Sequence, residues 1–225
     1  MNRLLFTPIG VLLLLASSLT VSAQGTFRDR ATAYLGFGLD LYPITYTDPF
    51  SPYENVTAAA NVIKLGGEYN LRQSDDLLAL NFRMGFDLGF QYNPYADRGL
   101  NFNATVPLYL VGRIGAGATS FTQAIVGFGL GVGVKAGYAS STFDYRSTFF
   151  QTDALWETGI FMPSVTADLV FNPNGGSFIL RGEVGLLQRD TEVVMEQDIA
   201  TGQFDVPQDA EFYYYSLALI YFIPL

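Results

Sequence analysis

The chain has no cysteine and no histidine. Without cysteine there is no disulfide, no thiolate metal site and no acylated-cysteine anchor. Without histidine, hydrolases that use a Ser-His or Asp-His arrangement are excluded, because their proton-transfer group is absent. Bases are scarce, 12 Lys and Arg against 21 Asp and Glu, and they form no stripe, so nucleic acid is not a partner. No apolar run of 18 or more residues lies beyond the first 23, so the rest of the chain carries no helical membrane span. No EF-hand spacing is present, and neither a metal site nor a cofactor motif is expected. The glycine series in 127–133 lies within a strand pattern and lacks the strand-turn-helix context of a nucleotide loop.

What is abundant is glycine (23), phenylalanine (19) and tyrosine (14) in a chain of 225 residues. Residues 1–23 read as a secretory signal peptide: Arg3, an apolar centre from Ile9 to Leu15, and Val21-Ser22-Ala23 before a cleavage after Ala23. Residues 24–225 then form one domain.

The clearest element is Leu77–Tyr92. Leu78, Leu80, Phe82, Met84, Phe86, Leu88, Phe90 and Tyr92 share one parity; Ala79, Asn81, Arg83, Gly85, Asp87, Gly89 and Gln91 share the other. A strand sends alternate side chains to opposite faces, so one face is wholly apolar. A bilayer-crossing strand needs about 9–11 such residues. The same alternation predicts strands over Ala31–Tyr42, Val56–Leu71, Leu100–Gly117, Gln123–Ala139, Thr158–Asn172, Ser177–Arg189 and Tyr213–Leu225. Short turns at 72–76, 118–122 and 173–176 alternate with longer connections at 44–55, 93–99, 140–157 and 190–210. An even strand number with short turns at one end and long loops at the other predicts an eight-stranded antiparallel transmembrane up-and-down β-barrel. The connections 140–157 and 190–210 leave open an extension of neighbouring strands, or ten strands.

Charge placement separates this barrel from a soluble lipocalin-like one. Asp40, Lys64, Glu68, Arg83, Asp87, Arg113, Lys135, Asp168, Arg181 and Glu183 all fall on the less apolar face, five acids and five bases, while the other face carries no charge. Lipid cannot accept such charges cheaply, whereas a closed lumen can pair them. The reading is a salt-bridged, plugged lumen. The mature chain carries a net charge of about −10, and the last long connection alone holds Asp190, Glu192, Glu196, Asp198, Asp205 and Asp209 with no base. Aromatic residues crowd the connections: Tyr46, Phe50 and Tyr53 in the first, and Phe143, Tyr145, Phe149, Phe150 and Trp156 in the third. With Asp190, Glu192, Glu196 and Asp198, those of the third are the candidate contacts for a protein partner, while those of the first fit a contact surface and the aromatic girdle at the membrane boundary equally.

The leader, the eight strands and the terminal segment Tyr213–Leu225, together with Val106-Pro107-Leu108-Tyr109-Leu110, resemble small bacterial outer-membrane barrels of the OmpA/OmpX-like class. More narrowly they are similar to the outer-membrane barrel domains common in Bacteroidota. The resemblance implies insertion by the barrel-assembly machinery, which reads a carboxy-terminal strand usually ending in an aromatic; this chain ends Phe222-Ile223-Pro224-Leu225. It also implies contact with outer-membrane lipid.

Three functional expectations follow. The leading one is a non-enzymatic barrel serving envelope integrity or partner binding through extracellular loops, including a subunit role in a larger assembly. The second is a narrow solute or ion channel. The third is a lipid-modifying enzyme that works without histidine. No catalytic residue is assigned.

Overall fold

A computed structural model describes residues 30–46, 54–74, 77–92, 100–118, 123–146, 151–173, 177–199 and 202–223. The expected leader, residues 1–23, lies outside the described residues. The strands are β1 (Ala31–Tyr46), β2 (Glu54–Ser74), β3 (Leu78–Tyr92), β4 (Leu100–Gly115), β5 (Val126–Arg146), β6 (Gln151–Phe171), β7 (Phe178–Gly185), β8 (Arg189–Ile199), β9 (Gly202–Phe212) and β10 (Tyr215–Ile223). β1 to β7 pair antiparallel in sequence order, β7 pairs with β10, and β10 closes on β1 through Ala33↔Ile223 to Leu41↔Tyr215. The ring therefore has eight members, and closure leaves it no edge.

The ten segments make eight staves because β7 runs on into β8 and β9 runs on into β10. β8 pairs with β6 at Ala154↔Met195 to Trp156↔Val193, and β9 pairs with β1 at Ile44↔Phe212 to Tyr46↔Ala210. The two breaks have a shared cause. Leu186 donates its N–H to the carbonyl of Pro163 at 2.8 Å, and Tyr213 donates to the carbonyl of Pro43 at 3.0 Å. In a strand the N–H of a residue points the same way as its C=O, so each proline faces the break with an acceptor and no donor. The ladder cannot continue at either place, and it resumes beyond.

Above these breaks the wall rises as an arc in the order β5–β6–β8–β9–β1–β2. We call this the collar end. Most of 140–157 and 190–210, read from sequence as long connections, is strand here: β5 and β6 pair continuously to Arg146↔Gln151, and β8 and β9 pair to Ile199↔Gly202. The sequence gives no apolar face there because the collar stands above the apolar band.

The outward face carries Leu78, Leu80, Phe82, Met84, Phe86 and Phe90 on β3, Phe128, Leu130 and Val132 on β5, and Leu217, Leu219 and Tyr221 on β10, all exposed. Leu130 and Val132 are 59% and 61% exposed. A water-facing wall of this composition would be unstable, while a lipid-facing one is required to have it. The chain is a transmembrane β-barrel. Aromatic residues mark both margins of the band: Phe90, Phe102 and Tyr138 stack in a row towards the collar (5.4 and 6.4 Å between centroids), and Phe178 meets Tyr221 at 5.1 Å near the other end.

Candidate functional site

The lumen is the site the topology builds, and it is packed in four storeys. At the collar end Tyr42, Trp156, Phe212 and Tyr214 form an aromatic plug. Tyr42 lies 5.4 Å from Trp156 and 5.5 Å from Tyr214, and Trp156 meets Phe212 edge-on at 5.4 Å. Ile44, Tyr46, Ile160 and Met162 complete it.

Beneath the plug lies a lysine storey. Lys64 reaches Asp87 at 2.7 Å, Glu183 at 3.3 Å and Asp40 at 3.5 Å. Lys135 reaches Asp40 and Asp87 at 2.9 Å each and Glu183 at 3.7 Å. Each lysine thus contacts all three carboxylates. Lys135 also donates to the hydroxyl of Tyr214, which donates in turn to Glu183 Oε2 at 2.8 Å, and Asn103 Nδ2 donates to Asp40 Oδ2 at 2.7 Å.

Below it lies an arginine storey. Arg83 pairs with Glu68 at 2.7 Å and with Asp168; Arg113 pairs with both at 2.7 Å; Arg181 lies 3.3 Å from Glu68 and 3.0 Å from Asp168. Arg113 grips Glu68 with both terminal nitrogens, Nη1 to Oε2 and Nη2 to Oε1, the bidentate geometry a guanidinium favours. Again every base contacts every acid. Among the described residues no ion pair joins the two storeys. The lysine storey has one acid in excess and the arginine storey one base, so the lumen is neutral as a whole and polarised along its axis.

The inner end is closed by Tyr34, Ala116, Val170, Ile179, Ala218, Ile220 and Phe222. β4 stops at Gly115, two residues before the sequence expectation. Gly115 and Gly117 take φ of 77° and 69°, which turns the chain inward and buries Ala116 and Ala118. Arg113 donates to the Gly117 carbonyl at 3.2 Å and stacks on Phe222 at 5.1 Å. The arginine storey and the inner plug are therefore tied together.

All ten charges read from the sequence lie inside the barrel, buried. The loop contacts fare differently. Trp156 is corrected: it is 0% exposed and belongs to the plug, because β6 extends upward and its even parity faces the lumen. Phe143 is half-buried, packed against the plug and 6.1 Å from Tyr46. Tyr145 lies in β5, and Glu196 and Asp198 in β8; their side chains, with Phe149 and Phe150 entirely, lie outside the described residues. Asp190 and Glu192 are exposed on the collar, directly opposite Glu211 and Asp209 of β9.

Sequence reading did not single out Tyr42, Phe212 or Tyr214. Parity held the signal: Tyr214 falls on the opposite face from Tyr213 and Tyr215. Among the described residues no group of three or more acidic side chains is arranged to hold a metal ion. Among the described residues, the arrangement pairs charges and packs aromatic rings across the lumen.

No family model matches the chain, and no curated protein matches it. Among solved structures it is similar to Neisserial surface protein A (8% identity, TM-score 0.36, covering 84% of this chain and 97% of that one). It is also similar to the outer membrane protein OprG from Pseudomonas aeruginosa (11%, TM-score 0.43, 91% and 100%) and to outer membrane protein AlkL (14%, TM-score 0.38, 88% and 92%). The barrel rests on its own strand pairing and its apolar wall.

Proposed function

We propose that this chain is a non-enzymatic outer-membrane barrel, exported by a leader cleaved after Ala23 and inserted by the barrel-assembly machinery. Its sealed wall holds an acidic β-collar outside the cell for a partner protein or for envelope integrity. One observation carries the reading: the lumen is filled by buried side chains at every storey, from Trp156 through Lys135 and Arg113 to Phe222. An eight-stranded barrel has an interior just wide enough to be filled this way. The energy invested in ordering ten buried charges is consistent with a rigid mount, and the feature mounted is the collar.

The narrow channel is the second reading, and the charged middle of the lumen favours it. It requires the aromatic plug and the inner plug to leave the axis together. Planar-bilayer recordings separate the two. Silence across wide voltage ranges, with a stoichiometric protein recovered by gentle-detergent purification from native membranes, is the expected result. Stepwise conductance that changes in Lys135→Met would replace the mount by the channel.

A further inference from the structure

Three oxygen acceptors in the lysine storey have no hydrogen-bond partner in the protein: Asp87 Oδ1, Asn103 Oδ1 and Thr105 Oγ1. Each belongs to a side chain at most 1% exposed. Buried acceptors left unpaired cost stability, and a cluster of them in a native interior calls for a donor or a cation.

The three belong to one patch. Asp87 on β3 is the register partner of Thr105 on β4, and Asn103 lies two residues along the same face of β4. Asp87 turns its other oxygen, Oδ2, to both lysines at 2.7 and 2.9 Å. Asn103 turns its amide nitrogen to Asp40 Oδ2 at 2.7 Å, an oxygen that Lys135 also contacts at 2.9 Å. The two ammonium groups and the Asn103 amide are thus turned to Asp40, Glu183 and one oxygen of Asp87. The storey also keeps one carboxylate more than its lysines neutralise.

We propose that the lysine storey binds a single alkali-metal cation of the sodium class through Asp87 Oδ1, Asn103 Oδ1 and Thr105 Oγ1. A carboxylate, an amide and a hydroxyl oxygen are hard ligands suited to such an ion. One positive charge matches the single excess carboxylate, while calcium, which takes six to eight oxygens, finds one carboxylate oxygen here and two ammonium groups beside it.

The test is thermal unfolding of the detergent-purified barrel in LiCl, NaCl, KCl and choline chloride at equal ionic strength, followed by heat-modifiable gel mobility. Choline is too large for the site and serves as the reference. The expected result is a midpoint that rises by a few degrees per tenfold increase in one alkali cation and stays flat in choline. Thr105→Val, which keeps the side chain's shape and loses only the oxygen, is expected to fold and to need at least tenfold more of that cation for the same rise. Thallium(I) in crystals is expected to give an anomalous peak between β3 and β4. Equal midpoints in all four salts overturn the proposal. So does full cation dependence retained in Thr105→Val, and so does a midpoint that follows pH while ignoring the cation, which would make the bound charge a proton. Silent or conducting bilayers leave this result unaffected, so its failure is distinguishable from failure of the mount.

Discussion

The ammonium of Lys135 lies 4.2 Å from the ring centroid of Tyr214 and also donates to that tyrosine's hydroxyl. Because Tyr214 stacks on Tyr42 at 5.5 Å, one side chain couples the aromatic plug to the lysine storey. Tyr214→Phe keeps the ring and removes a donor to Glu183 and an acceptor from Lys135, an expected loss of about 1–3 kcal/mol. Tyr214→Ala also removes the ring and is expected to cost about 3–5 kcal/mol. Urea unfolding in detergent measures both. Neither variant should conduct, since the inner plug of Phe222 and Ala116 stays in place; stepwise current from Tyr214→Ala alone would show that the inner end is open.

The two charge storeys should respond to neutralisation in opposite ways. The lysine storey has three acids and two bases, so Asp40→Asn balances it and Lys64→Met leaves three carboxylates on one ammonium. The arginine storey has two acids and three bases, so Arg83→Met balances it and Asp168→Asn leaves three guanidinium groups on one carboxylate. Stranding buried charge costs about 3–5 kcal/mol, and the balancing changes should cost clearly less. Unfolding midpoints of the four variants check this. The same rank order in both storeys would mean that the pairs are not confined to their own storey.

Much of this was legible from parity. The strand at Leu78–Tyr92 shows an apolar and a polar face in the sequence; that alternation puts the ten charges on one face, and the absence of charge from the other face makes theirs the inward one. Their division into a lysine and an arginine storey was not legible. Which inward residues meet across a lumen depends on strand stagger, and alternation is the same for every register. Trp156 was misread for a related reason. Above the bilayer a strand has no lipid to face, so its outer side turns polar and it reads as loop. Pro43 and Pro163 were visible as residues, but only the pairing shows that both turn their missing N–H towards the same hairpin.

Leu130 tests the solvent on the outside. It is 59% exposed and lies between Phe128 and Val132 in the outward apolar row of β5. In a lipid-facing wall Leu130→Arg should cost about 2–4 kcal/mol and reduce the inserted, heat-modifiable fraction. In a soluble lipocalin-like barrel the same change would be close to neutral and would improve solubility in buffer.

On the collar, Asp190 stands directly opposite Glu211 and Glu192 opposite Asp209, two adjacent cross-strand pairs of like charge. Such pairs destabilise a hairpin, so a collar selected for stability alone would avoid them. Glu211→Lys is expected to raise stability by about 0.2–1 kcal/mol through a new opposite-charge pair with Asp190. If the collar docks a partner, the same variant should lose that protein in detergent co-purification. Gained stability with unchanged partner recovery would put the docking surface elsewhere.

Tyr34 lies across two glycines that are register partners, Gly66 on β2 and Gly85 on β3. A Cβ at Gly66 would fall 2.6 Å from Tyr34 Cζ and Oη, and one at Gly85 would collide with Oη and lie 2.9 Å from the Leu65 carbonyl. The ring in turn carries the Arg181 guanidinium at 5.0 Å. The glycines therefore make room for the platform on which part of the arginine storey rests. Gly85→Ala should displace Tyr34 and cost about 1–3 kcal/mol. Made in a Tyr34→Ala background, where the Leu65 carbonyl and, at 3.3 Å, Pro107 Cγ are left in the way, the same substitution should cost less. The coupling between the two sites is expected at about 0.5–3 kcal/mol in a double-mutant cycle. Additive losses would mean that the backbone alone demands glycine there, and that Tyr34 merely fills space the glycines leave.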